Sequence, residues 1–157
     1  LDEGMQSLAE VIKKTTGKDI TNYPGAGAAG GMGGGLLAFF NAELKPGTEL
    51  LLKAIDFSEK IKGADLIITG EGKADQQTAM GKVPYGILKE AQKEHIPVIV
   101  LAGSIENLPE LNKAGFKGIF SIAPDPITLE KAMEPEFAKE NITRLVSQLY
   151  SVITSFG

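Results

Sequence analysis

From Gly63 onward, short apolar runs alternate with amphipathic stretches, and this alternation limits the fold more than any other feature of the chain. Ala64 to Thr69 is expected as a strand, Pro84 to His95 as a helix and Pro97 to Ala102 as a strand. Pro109 to Ala114 then reads as a helix and Gly118 to Ile122 as a strand. Runs such as Val98-Ile99-Val100-Leu101 are apolar at every position, the pattern of strands covered on both faces, so the sheet is expected to be mainly parallel. The expected fold is α/β and three-layered, with helices on both faces in the manner of Rossmann or flavodoxin-like folds. In such sheets ligands sit outside the carboxyl ends of the strands. Thr69 to Gly72, Gly103 to Glu106 and Ala123 to Asp125 are therefore expected to emerge on one edge and to converge on one ligand.

Ahead of this region, Asp2 is suited to cap a helix carrying Met5, Leu8, Ala9 and Ile12 on one face, running to Thr16 and stopped by Gly17. A glycine-rich segment from Gly25 to Gly35 then leads into Leu36, Leu37, Phe39 and Phe40, expected as a buried helix. Pro46 opens another helical stretch bearing Leu50, Leu51, Leu52 and Ile55. At the far end, Glu136 to Phe156 is expected as a long helix with Leu145, Val146, Leu149 and Ile153 inward. The expected division is a glycine-rich helical segment over 1–62, belonging to a neighbouring domain, and a regular α/β lobe over 63–157.

Composition excludes several classes of function. A formal charge of -4 without a basic cluster argues against neutralising nucleic-acid phosphates, and no apolar run is long enough to span a membrane. The absence of cysteine removes thiol nucleophiles and disulfide frameworks and suits a reducing cytoplasm, the expected location. The chain opens at Leu1 rather than at a methionine, as expected of a processed chain or a piece of something longer.

The chemistry concentrates between Gly70 and Pro84. There Glu71, Asp75, Gln77, Thr78, Lys73 and Lys82 are separated by small residues, Gly70 and Gly72 among them, that let a substrate approach the backbone. Phosphoryl transfer asks for cations to neutralise the moving group, a carboxylate to hold Mg²⁺ and an orienter for the accepting hydroxyl. Asp75 with Glu71 supplies the carboxylates and Lys82 with Lys73 the cations. A pair of carboxylates equally permits a hydrolase. Gly25 to Gly30 matches the dinucleotide fingerprint, but Thr21 to Pro24 makes a poor preceding strand, so a dehydrogenase reading is weak. Such a turn can bind an anion through backbone N–H groups, or it can mark close packing that admits only Gly and Ala. His95, the only histidine, is expected to be solvated or to end a helix. Ser104 lacks a histidine to activate it and is expected to bind a substrate oxygen.

Taken in order, Pro24 to Gly33, Gly63 to Gly72, Asp75 to Thr78, Gly81 to Pro84 and Leu101 to Ser104 resemble the type I glycerate kinase family over nearly the whole chain. The resemblance implies ATP-dependent, Mg²⁺-assisted phosphorylation of D-glycerate, with 2-phosphoglycerate the favoured product. Family members are two-domain enzymes that open with a strand and a loop of the type Pro-Asp-Ser-Phe-Lys-Gly. Nothing here corresponds to that opening, so the chain resembles the C-terminal portion, and its implied partner is the N-terminal part of the same enzyme. Alone it is expected to be inactive or weakly active; the rival expectation is a non-catalytic domain binding a sugar acid or nucleotide. Carried onto this sequence, the resemblance implies Asp75 and Lys82 as catalytic, with Asp75 orienting the glycerate hydroxyl and Lys82 on phosphate. Glu71 would contact Mg²⁺ and substrate, and Gln77, Thr78 and Ser104 would bind substrate. Gly27, Gly30, Gly31, Gly70 and Gly72 would line the phosphate.

Overall fold

The computed structural model of the chain describes residues 2–40, 42–124 and 126–155. The chain divides into two compact units, Leu1–Gly47 and Thr48–Gly157.

The first unit opens with α1, Asp2–Thr16, where Asp2 and Glu3 stand in the first turn and Lys13 and Lys14 in the last, each favourable to the helix dipole. Asp2 lies within this turn rather than outside it as a cap. Gly17 ends the helix in the left-handed region (φ 74°), its N–H donating to the Lys13 carbonyl at 3.0 Å. The Lys13 ammonium reaches Asp19 at 2.6 Å, and that hydrogen bond is the main reason the Asp19 carboxyl is lowered to about 2. After turns, α2 covers Ala28–Phe40, with Ala29, Gly30 and Gly31 all at positive φ, so its regular part begins after them. Ala9 and Ile12 of α1 pack with Ile20, Leu37 and Ala38 into a small buried cluster. Leu36, Phe39 and Phe40, expected to be buried, are exposed. Helical spacing turns Leu37 and Ala38 toward α1 and the other three away from it.

The second unit holds α3 (Gly47–Ala54) from its second residue onward, α4 (Phe57–Lys60), β1 (Ile67–Ala74), α5 (Val83–Lys93), β2 (Val98–Ile105), α6 (Leu108–Ala114), β3 (Gly118–Ser121), α7 (Leu129–Ala132) and α8 (Pro135–Thr154). The strands form a parallel sheet in the order β1-β2-β3 with helices around it, the α/β architecture expected. Val98, Val100 and Ala102 on one face of β2 pack with Leu88 and Ala91 of α5, Leu111 of α6 and the flanking Ile96 and Phe116. Full burial of Leu88 or Leu111 contributes about 1.5–3 kcal/mol each. Ile99 and Leu101, pointing to the opposite face, are buried as well. On α3 Leu52 is buried, whereas Leu50 and Leu51 are exposed; of the residues expected inward on α8, Leu145, Val146 and Leu149 are half-buried and Ile153 is exposed. No described helix is long and apolar enough to cross a membrane.

Two strands run further than expected. β1 continues through Gly70, Glu71, Gly72 and Lys73 to Ala74, and β2 through Gly103 and Ser104 to Ile105. These residues lie on the sheet and not in loops beyond it, because ladder pairing to a neighbouring strand outweighs the poor strand propensity of glycine. The register passes from Glu71↔Ala102 to Lys73↔Ser104, leaving Gly72 and Gly103 opposite each other. A Cβ at Gly103 would stand 2.8 Å from the Gly72 carbonyl oxygen, whereas a Cβ at Gly72 meets nothing within 4 Å. Gly103→Ala is therefore expected to lower stability by about 1–3 kcal/mol, and Gly72→Ala to change it little. Urea unfolding of the two variants checks the difference; equal midpoints would disprove it.

Candidate active site

Because the strands are parallel, their carboxyl ends share one edge, displaced beyond the glycines to Ala74, Ile105 and Ser121. The ends of β1 and β2 are tied there: the Glu106 N–H donates to the Ala74 carbonyl at 2.7 Å, and Lys73 pairs with the Glu106 carboxylate at 2.9 Å. Asp125, expected at this edge, lies outside the described residues.

The loop after β1 is built around Thr78, which is fully buried. Its hydroxyl accepts from the Asp75 N–H at 3.1 Å and lies 3.4 Å from both the Lys73 carbonyl and Asp75 Oδ1, either of which can take its proton. In return the Thr78 N–H donates to Asp75 Oδ1 at 3.2 Å and to the Asp75 carbonyl at 3.0 Å. This ring closes a turn that continues into a single 3-10 turn, Thr78–Met80. A hydroxyl enclosed in this way holds the Asp75 side chain and backbone in place.

Lys82 Nζ donates to Asp75 Oδ1 at 3.3 Å, and the two side chains are about one third and one fifth exposed, 32% and 20%. Partial burial pushes the Asp75 carboxyl up, but the Lys82 ammonium and the N–H groups of Thr78 and Gln77 outweigh it and hold the group below the ordinary carboxylate range. Lys82 is also the N-cap residue of α5, whose first turn carries no acidic side chain. An ammonium added to the positive end of a helix dipole makes this corner attractive to anions.

The other expected residues are less closely joined. Glu71 is half-buried on β1, its Oε1 accepting from the Gly72 N–H at 3.2 Å. Gln77 is exposed beside Asp75, and Ser104 is exposed on β2 opposite Lys73 in register. Gly70 and Gly72 lie on β1 itself. His95 is exposed at φ 59° and terminates α5: its N–H donates to the Gln92 carbonyl and the next N–H, of Ile96, to Ala91. The helix-ending role expected of it is what is found.

The glycine-rich segment belongs to the first unit. Among the described residues no strand precedes Gly25, and residues 18–24 just before it are turn and coil, which is not the structural context a dinucleotide fingerprint needs. Gly27 and Gly31 line a cavity of about 210 Å³ together with Met5, Leu8, Ala9 and Ile20. The Gly31 N–H already donates to the Gly27 carbonyl at 3.3 Å. Close packing falls on glycines that the site reading passed over. A Cβ on Gly33 would collide with the Gly25 carbonyl oxygen, and one on Gly34 would stand 2.6 Å from the Ile20 side chain. Their sequence signal is spacing, since Gly33 and Gly34 lie one turn before the buried Leu37 and Ala38.

A family model described as the glycerate kinase family matches residues 1–154. A glycerate kinase of Halalkalibacterium halodurans is 45% identical over 135 residues, which is 85% of this chain and 36% of that protein. A glycerate 2-kinase of Escherichia coli K12 is 43% identical over 145 residues, 92% of this chain and 38% of the relative. The crystal structure of a protein assigned as glycerate kinase 2 from Salmonella typhimurium LT2 superposes with a TM-score of 0.67 at 33% identity, covering 96% of this chain and 37% of that one. The chain thus spans well under half the length of these relatives.

Proposed function

The chain belongs to the glycerate kinase family, and from that membership we propose that it supplies the C-terminal part of a site that transfers a phosphoryl group from ATP to D-glycerate, giving 2-phosphoglycerate. The observation that carries this reading is the Asp75–Thr78–Lys82 arrangement, a carboxylate and an ammonium held in one closed loop at the carboxyl edge of a parallel sheet.

Asp75 accepts a hydrogen bond from the glycerate hydroxyl and aims it at the phosphorus. A carboxylate with a lowered pKa is a weak proton acceptor, so orientation is its main contribution until the bond to phosphorus has begun to form. Lys82 exchanges its 3.3 Å contact with Asp75 for phosphate oxygens, with the α5 N-terminus behind it. Losing that partner raises the proton affinity of Asp75 as substrate arrives, which favours uptake of the hydroxyl proton. Gln77 and Ser104, both exposed, bind glycerate oxygens, and Thr78 serves by fixing Asp75. The family resemblance assigns Gly27, Gly30, Gly31, Gly70 and Gly72 to phosphate, and a Cβ at Gly72, next to Glu71, would meet nothing within 4 Å.

No cluster of three or more His, Cys, Asp or Glu side chains that could cage a metal occurs among the described residues. A lone carboxylate fits Mg²⁺, which kinases hold through one or two carboxylates with nucleotide phosphates and water making up the rest. Glu71 is the residue assigned to it here, and the ion would neutralise charge on the moving phosphoryl group. The working compartment that goes with this reaction is the cytoplasm.

The test is a chimera in which this chain replaces the matching region of the Halalkalibacterium halodurans relative, assayed for D-glycerate-dependent ADP release with ATP and Mg²⁺. The chimera is expected to turn over and the isolated chain to be inactive or nearly so. A folded chimera that binds glycerate or ATP without turnover would replace this reading with a non-catalytic binding domain.

A further inference from the structure

Helix α2 has thirteen residues, none of them charged or polar. A helix that is apolar all round belongs in a protein interior. One side of α2 is so placed, through Gly33, Gly34, Leu37 and Ala38. The opposite side is not: Met32, Leu36, Phe39 and Phe40 recur at the helical spacing of four, seven and eight residues and are 64%, 40%, 62% and 76% exposed. Among the described residues of the first unit, Leu1–Gly47, the buried cluster is small: Ala9, Ile12, Ile20, Leu37 and Ala38, with Ala26 and Leu44 half-buried against it. So small a core seldom sustains a unit of this size unaided.

We propose that the Met32-Leu36-Phe39-Phe40 face of α2 is the docking surface for the part of the family polypeptide that lies outside this chain, and that this contact completes the core of the first unit. The occupant is argued from length. The matched region is 36% and 38% of two curated relatives and 37% of a solved structure, yet 96% of this chain superposes on that structure. More than half of each relative is therefore available to cover a face that this chain leaves open. The partner's chemistry follows from the stripe: with two exposed phenylalanines and no charge, it calls for an apolar helix or sheet face rather than a charged one. The inference rests on the reading that the chain works as part of a longer kinase, and it names the surface through which it does so.

The experiment measures the melting temperature of the double substitution Phe39→Asp with Phe40→Asp in two settings, the isolated 157-residue chain and the chimera with the Halalkalibacterium halodurans relative. In the isolated chain the exposed side chains are expected to leave the melting temperature unchanged within error. In the chimera, where both rings would be buried, it is expected to fall by roughly 5–10 °C, and Phe39→Leu with Phe40→Leu is expected to restore most of the loss. An unchanged melting temperature in the chimera would overturn the proposal. So would a wild-type chain that is dimeric in light scattering and made monomeric by the double aspartate variant, since the occupant would then be a second copy. ADP release is scored separately: a chimera that is inactive but destabilised by the substitution refutes the catalytic reading and keeps the docking surface, and one that is active but insensitive does the reverse.

Discussion

Asp75→Asn in the active chimera is expected to reduce turnover by roughly 10²–10⁴-fold while leaving the fold intact. The amide retains an oxygen for the Thr78 N–H and keeps the turn closed, so circular dichroism should be unchanged. What it loses is the negative charge that accepts the substrate proton and holds Lys82 in waiting at 3.3 Å. The KM for glycerate should move far less than kcat, because orientation of the reacting hydroxyl matters most as the new bond forms. The pH dependence has a definite sign. The folded pKa of Asp75 is lowered, so the ion pair's contribution to stability is fully present above the ordinary unfolded carboxylate value and is lost as pH falls through the lowered folded value. The acid limb of kcat/KM, which reports the free enzyme, should therefore lie lower than an unperturbed carboxylate would give. Unchanged turnover in Asp75→Asn removes the residue from the mechanism.

Gly33→Ala is expected to destabilise the protein by about 1–3 kcal/mol, whereas Gly35→Ala, two positions along the same helix, should stabilise it by up to about 1 kcal/mol. The two differ only in surroundings. A methyl group on Gly33 meets the Gly25 carbonyl oxygen and Leu44 Cδ1 at 3.2 Å, and backbone cannot move aside as a side-chain tip can. A methyl group on Gly35 meets nothing within 4 Å and removes the conformational freedom of an unfolded glycine. Thermal melts followed by circular dichroism at 222 nm read both. Shifts of the same sign would mean that α2 is not packed on the Gly25–Ala26 turn.

Where a single local rule dominates, the sequence is a sufficient guide. The first helix ends where Gly17 permits a left-handed residue, and α5 ends on His95 in the same conformation, sealed by the burial of Ile96. The parallel sheet follows from Val98 to Leu101 being apolar at every position. Strand ends are less legible: Gly70, Gly72 and Gly103 read as loop residues by propensity, but the neighbouring strand decides, and pairing carries β1 to Ala74 and β2 to Ile105. In the site, Asp75 and Lys82 are recognisable by type and spacing and do meet. The burial of Thr78 is set by tertiary packing, so the hydrogen bonds by which it closes the loop cannot be read from spacing along the chain. Lys73 is drawn to Glu106, a partner on another strand end that spacing along the chain cannot reveal.

The closed ring between Asp75 and Thr78 also bears on the thermodynamics of ligand capture. Its hydrogen bonds fix the backbone of the turn as the protein folds, so this segment has little freedom left to surrender when a ligand arrives. Removing the Thr78 hydroxyl would shift that ordering cost onto the binding step, where it would be read as a less favourable entropy of association rather than as an altered contact.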